Sequence, residues 1–180
     1  MATTTKSNPS WVFDPTHSEL TFKVKHLMIT NVKGEFKNFS VEVDGPDIFK
    51  SQILATVDAD SIDTNNGQRD GHLKSADFFD VEKHKKLTFK STSFKKKDDN
   101  EYVLKGILTI MGISKEVALE VEFGGINKDP WGNEKAGFSF EGKINRKDWG
   151  LNWNAALETG GVLVSDEVKI GGEIQFAKQA

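Results

Sequence analysis

Tyr102-Val103-Leu104-Lys105-Gly106-Ile107-Leu108-Thr109-Ile110-Met111-Gly112-Ile113-Ser114-Lys115-Glu116-Val117-Ala118-Leu119-Glu120-Val121-Glu122-Phe123 is the stretch that decides the fold. In its first half Tyr102, Leu104, Gly106, Leu108 and Ile110 share a face. In its second half Val117, Leu119, Val121 and Phe123 share a face, opposite Ala118, Glu120 and Glu122. Successive side chains of a strand point to opposite sides, so each half reads as a strand with one dry and one wet face. Parallel strands, covered on both sides, lose this alternation; antiparallel sheets keep it.

Towards the N-terminus the same period returns. Leu20, Phe22 and Val24 alternate with Thr21, Lys23 and Lys25. Val32, Gly34 and Phe36 repeat the pattern, and Phe39, Val41 and Val43 resume it out of phase, which predicts a bulge or bend near Lys37-Asn38. Ile53, Ala55 and Val57 make another face, and Leu87, Phe89 and Ser91 the next. Towards the C-terminus, Ala136, Phe138, Phe140, Gly142 and Ile144 align, as do Val168, Ile170, Gly172, Ile174 and Phe176. Turn formers separate the runs at Asp44-Gly45-Pro46, Lys97-Asp98-Asp99-Asn100, Gly124-Gly125 and Asp129-Pro130-Trp131-Gly132. The fold class is all-β, with about eight antiparallel strands that can close into a barrel and so remove exposed sheet edges.

Two stretches break the alternation. Asp63-Thr64-Asn65-Asn66 precedes Gln68-Arg69-Asp70-Gly71-His72-Leu73-Lys74, and Thr64 or Asn65 can cap a helix there. A short helical insertion around 64–79 is expected, covering one end of the barrel. The second irregular stretch, Asn145 to Asp166, carries Trp149, Leu151, Trp153 and Leu157 among glycines and asparagines.

A chain of 180 residues suits one domain and can bury a core without staples. We expect a flexible segment over 1–10 and a single domain over 11–178. Cysteine is absent, which excludes disulfides and thiolate-metal sites. The net charge is -3 with both signs abundant, so no nucleic-acid partner is expected. The first ten residues contain no apolar run of the secretory kind, and no stretch approaches the ~18 apolar residues of a membrane span. The expectation is a cytoplasmic protein that does not span a membrane.

Chemistry-bearing motifs are scarce. The sequence has no Gly-x-Ser-x-Gly elbow, no P-loop and no dinucleotide glycine pattern. His17, His26, His72 and His84 show no metal-ligand spacing, so no metal is expected, and structural hydrogen bonding is the reading for His17 and His72. Asp98-Asp99 belongs to a solvated turn. Arg69, Asp70 and His72 form the one polar cluster to weigh: it either locks the lid to the barrel by charged hydrogen bonds or meets a polar headgroup. Trp149 and Trp153 either plug the barrel or line its mouth.

The dry faces define the lumen. Phe22, Val24, Phe36, Ile53, Ala55, Phe89, Leu104, Leu108, Phe138, Phe140, Ile170 and Ile174, with Trp149 and Trp153, are the candidate ligand-binding residues. Gly34, Ala55, Gly106, Ala136, Gly142 and Gly172 sit on those same faces. Such small residues either leave room for a ligand or let strands coil at barrel corners. An apolar lumen gains ~0.8 kcal/mol per buried methylene, which favours a long hydrocarbon over a sugar or nucleotide.

The motifs then converge. Trp11-Val12-Phe13-Asp14-Pro15-Thr16-His17-Ser18, Phe22-Lys23-Val24-Lys25-His26-Leu27 and Gly34-Glu35-Phe36 resemble the opening of the YceI-like family. Arg69-Asp70-Gly71-His72-Leu73 and Asp77-Phe78-Phe79-Asp80 resemble its middle, and Gly106-Ile107-Leu108-Thr109-Ile110-Met111-Gly112-Ile113-Ser114-Lys115 its Gly-x-Leu-Thr-x-x-Gly-x-[ST]-Lys motif. Asn145-Arg146-Lys147-Asp148-Trp149-Gly150 and Val164-Ser165-Asp166-Glu167-Val168 resemble its close. The ordered resemblance runs from about Trp11 to about Phe176.

The resemblance implies an extended, lipocalin-like eight-stranded antiparallel barrel with a ligand threaded through it. It implies binding of a polyisoprenoid, an isoprenoid quinone or a fatty-acid-like amphiphile for transport, storage or stress protection. No cofactor beyond such a bound lipid and no catalytic residue is carried over. Many family members are periplasmic and dimeric, so a homodimer is an option, and the absent signal peptide leaves the compartment to be established. The competing functions are an enzyme acting on a bound lipid, with Arg69, Asp70 and His72 as its cluster, and a ligand-free interaction module with a packed interior.

Overall fold

The computed structural model describes residues 11–27, 29–154 and 163–178. The segment 1–10, expected to be flexible, lies outside them, as does Leu157. Among the described residues eleven strands make one antiparallel sheet. They are β1 (Trp11–Phe13), β2 (Glu19–His26), β3 (Thr30–Phe36), β4 (Phe39–Val43), β5 (Ile53–Asp58) and β6 (Ile62–Asp63), then β7 (Lys86–Asp98), β8 (Glu101–Ile110), β9 (Ile113–Lys128), β10 (Glu134–Asn145) and β11 (Val164–Lys178). One α-helix, α1 (Gly67–Lys74), lies between β6 and β7. It is too short and too polar to cross a membrane, and no other described helix is a candidate.

The sheet runs β4-β5-β7-β8-β9-β10-β11-β2-β3-β6, with β1 paired to the last residues of β11. The stretch quoted above forms its central hairpin: β8 and β9 pair from Glu101 opposite Glu122 to Ile110 opposite Ile113. The alternation therefore reads out directly as an inner and an outer face.

The bend near Lys37-Asn38 is the junction that curls the sheet. β3 pairs with β2 and β6, whereas β4 pairs with β5. Between Phe36 and Phe39 the chain crosses from β3, next to one edge of the sheet, to β4 at the other. Two backbone bonds hold the crossing: Lys37 N–H donates to Ser61 O at 3.1 Å, and Asp58 N–H donates to Asn38 O at 2.9 Å. Phe13 on β1 meets Phe39 on β4 with ring centroids 5.2 Å apart, which closes one end of the seam.

Eight strands were expected and eleven are observed. The run from Val32 to Val43, read as one bent strand, is two strands: β4 at one edge of the sheet and β3 next to the other edge, beside β6. β1 and β6, of three and two residues, are too short to display a period.

The helical insertion is present but shorter than 64–79. Its cap is Asn66, whose Oδ1 accepts from Arg69 N–H at 3.0 Å, rather than Thr64 or Asn65. Asn65 instead takes a left-handed turn with φ 61°, and Thr64 is buried. A capping residue must be extended with its side chain over the first turn, and only Asn66 is placed so.

Candidate functional site

The curled sheet encloses a cavity of about 920 Å³. That lies near the upper end of the ~300–1,000 Å³ range of small-molecule sites. The wall is built from the inward alternate residues: Phe22 and Val24 of β2, Phe36 of β3, Ile53 and Ala55 of β5 and Phe89 of β7. Leu104 and Leu108 of β8, Phe138 and Phe140 of β10, and Ile170 and Ile174 of β11 complete it, and Trp153 joins them at one end. Among the described residues no aspartate or glutamate lines it.

The two ends differ. At one end the short 3-10 turn Ile48–Lys50 carries Phe49 inward. Its ring stacks on Tyr102 at 4.6 Å and on Phe94 at 5.3 Å, and meets Phe123 and Phe138 edge-on at 5.2 and 5.9 Å. This aromatic cluster, backed by Trp11 and Phe176, forms the apolar floor. The polar lining residues gather towards the other end, which we call the mouth: Lys25 and His26 at the end of β2, Thr64, Asn66, Gln68, Arg69 and His72 on and before α1, Thr88 near the start of β7, and Arg146 after β10.

Two expected residues do not line the cavity. Trp149 is 2% exposed, and its Nε1–H donates to Leu108 O at 2.9 Å. It packs behind the wall with Leu151, Ile110 and Val57, because the 3-10 turn Arg146–Trp149 folds it back under β8. Asp70 points away from the cavity: its Oδ1 accepts from both Thr64 N–H, at 2.9 Å, and Thr64 Oγ1–H, at 2.5 Å.

Arg69 and Asp70 do not pair with each other; both hold Thr64. Arg69 Nε donates to Thr64 Oγ1 and its Nη2 to Thr64 O, each at 2.8 Å. Charged hydrogen bonds thus tie α1 to Thr64, the residue that follows β6. Arg69 also lines the mouth. His72 Nε2 lies 2.9 Å from Asp77 Oδ2, and its ring stands edge-on to Trp153 at 4.6 Å and Phe78 at 5.1 Å. His17 Nδ1 lies 2.8 Å from Asp14 Oδ2. Both histidines make the structural bonds that their context suggested. Among the described residues no cluster of histidine and carboxylate side chains could hold a metal.

Of the small inward residues Ala55 lines the cavity, and four glycines are each covered by a neighbouring strand. The ring of Phe22 lies over Gly34, that of Phe89 over Gly106, and the Leu119 side chain over Gly142. Gly172 passes against the carbonyl of Glu19. The glycines let large side chains lie flat across neighbouring strands, so the wall stays thin and the lumen open.

Arg146 is the site residue that periodicity missed. It is 3% exposed, and its guanidinium donates to four carbonyls: Leu151, Trp153 at 2.9 Å, Val164 at 3.4 Å and Ser165 at 3.0 Å. It fastens the irregular stretch after β10 to the start of β11. Burial pushes its pKa down, and the carboxylate of Asp166, 3.9 Å away, opposes that shift. The only signal for it in the sequence is its place in Asn145-Arg146-Lys147-Asp148, since a lone arginine in a polar stretch carries no period.

Comparison with known proteins follows the geometry. The model of the YceI-like domain family matches residues 11–176. A UPF0312 protein of Staphylococcus epidermidis is 44% identical over 168 residues, covering 92% of this chain and 95% of its own. The crystal structure of the Campylobacter jejuni YceI protein is 35% identical, with a TM-score of 0.74 over 88% of this chain and 91% of that one. A polyisoprenoid binding domain from Saccharophagus degradans shares the fold, with a TM-score of 0.73 over 96% of this chain and 100% of its own at 12% identity. With the family model covering nearly every described residue, the chain belongs to the YceI-like family.

Proposed function

We propose that this protein binds a long-chain amphiphile of the polyisoprenoid kind in its lumen and carries it without transforming it. The observation that carries this reading is the shape of the cavity: about 920 Å³, apolar along its length, floored by aromatic rings and polar only at the mouth. A ligand with one polar end and a long hydrocarbon body fits that distribution. Ten buried methylenes would contribute about 8 kcal/mol, enough to offset the loss of translational freedom. The match to a polyisoprenoid binding domain of the same fold supports the same class.

A carrier fits the polar cluster better than an enzyme does. Asp70 is committed to Thr64 and does not line the cavity, so the three-residue cluster that the enzyme reading needs is not assembled at the mouth. The open lumen also disfavours a ligand-free module with a packed interior. We read the protein as a cytoplasmic carrier, with dimerisation to be measured.

Native mass spectrometry of the purified protein, followed by solvent extraction, tests the proposal. The expected result is a co-purifying mass that resolves into a prenyl chain, quinone or fatty-acid-like lipid. An apo mass that stays apo after incubation with isoprenoid quinones and fatty acids would overturn it.

A further inference from the structure

The register places four lysines in one row on the outer face of the wall. Lys33 of β3 stands directly opposite Lys23 of β2, Lys23 opposite Lys169 of β11, and Lys169 opposite Lys143 of β10. All four are exposed, and none has an ion-pair partner among the described residues. The flanking rows carry Glu35, Glu141 and Glu167, each opposite a neutral residue rather than a lysine: Thr21, Gly171 and Asn145. Strands lie ~4.8 Å apart, so the row extends ~14 Å. Like charges directly opposite one another destabilise a sheet, and here three such pairs adjoin.

The row stands beside the mouth. On the inner side of the same strands lie Phe22, Val24, Ile144 and Ile170, all on the lumen wall. Three residues beyond Lys23, ~10 Å along β2, is His26 at the mouth. There the β2–β3 hairpin tip exposes Leu27 at 40% and Ile29 at 78%. Lys25 is exposed on the same outer face as Lys23. Leu27 N–H donates to Leu163 O at 2.9 Å, which keeps the tip against the rim, since Leu163 itself lines the cavity.

We propose that this face docks the barrel on an anionic lipid membrane, with Leu27 and Ile29 entering the interface and the lysine row lying over the headgroups. Basic residues beside an apolar tip are the pairing that an anionic bilayer rewards. A nucleic acid would use the lysines but gain nothing from the exposed Leu27 and Ile29. Docked this way, the mouth would open at the lipid surface. That last use rests on the carrier reading; the docking does not.

Co-sedimentation with vesicles tests it. The full chain is expected to pellet with phosphatidylcholine vesicles containing phosphatidylglycerol, to stay in solution with pure phosphatidylcholine, and to be released by high salt. Each lysine near an anionic surface is worth about fivefold, so the double variant Lys23→Gln/Lys169→Gln should partition about 25-fold less. That variant removes repulsion and should melt no lower than the parent, so lost binding would not reflect lost folding. Ile29→Ser should weaken partition while the salt response remains. Absence of binding to the anionic vesicles, or binding untouched by the lysine variant, overturns the proposal. Retention on an immobilised polyanion without vesicle binding also overturns it and assigns the row to an acidic polymer. Native mass spectrometry of the same samples reports separately whether the lumen holds lipid, so the two readings fail independently.

Discussion

The ring of Phe22 lies across Gly34, its cross-strand partner, so closely that a Cβ on Gly34 would collide with the tip of the ring. Phe22 also lines the lumen. The pair shows how thirteen phenylalanines and a modest apolar content suffice for an open barrel: rings flatten on glycine instead of filling the centre. Gly34→Ala is expected to tip Phe22 into the lumen. The protein should fold but lose bound lipid, read as a drop in the co-purifying lipid mass.

Gly172 offers a contrast. Its Cβ would meet the carbonyl oxygen of Glu19, which is backbone and cannot swing away. Gly172→Ala should therefore destabilise by about 1–3 kcal/mol as β2 and β11 part. Urea unfolding measures this directly, and an unchanged midpoint would show that the strands adapt.

Ala55 faces the cavity from β5, opposite Phe89 and Val41 on the neighbouring strands. Ala55→Phe fills lumen rather than core. Ligand loading should fall sharply in native mass spectra while the melting temperature stays near that of the parent. Equal loss of both would mean that the site is core.

Arg146 donates to the carbonyls of Leu151, Trp153, Val164 and Ser165, and Val164 O also accepts from Asn154 Nδ2 at 2.7 Å. Arg146→Met should cost about 3 kcal/mol or more, because the carbonyls of Leu151, Trp153 and Ser165 lose a buried donor and Asp166 is left with Lys147 as its cation neighbour. Arg146→Lys should recover only part of it, since an ammonium cannot span the same fork. Thermal melts of both variants give the ordering.

Asp14 provides the pH test. Burial opposes its ionisation, but the bond with His17, the Thr16 N–H and the charges of His17 and Lys135 outweigh it and hold its pKa below the usual carboxylate value. A lowered pKa means that the folded state favours the carboxylate. The stability from this group is complete above the ordinary carboxylate range of about pH 4 and disappears as pH falls through the lowered value. Asp14→Asn should be less stable than the parent at neutral pH, and the gap should close in strong acid. A gap that is constant with pH would assign the effect to packing.

The sequence by itself determined the class of structure and the composition of the wall. Alternation is a local property, so Tyr102 to Phe123 announces two strands, and the inward residues from Phe22 to Ile174 can be picked by parity alone. Only the tertiary structure decided who stands next to whom. Phe36 and Phe39 end towards opposite edges of the sheet because pairing is set by long-range closure, which parity cannot express. Trp149 leaves the lumen because a 3-10 turn reverses it, Asp70 turns to Thr64 because the lid needs an anchor, and Arg146 becomes a fastener because two irregular stretches meet there. The lysine row has the same cause: Lys23, Lys33, Lys143 and Lys169 are scattered over 147 positions of sequence and become neighbours only through register.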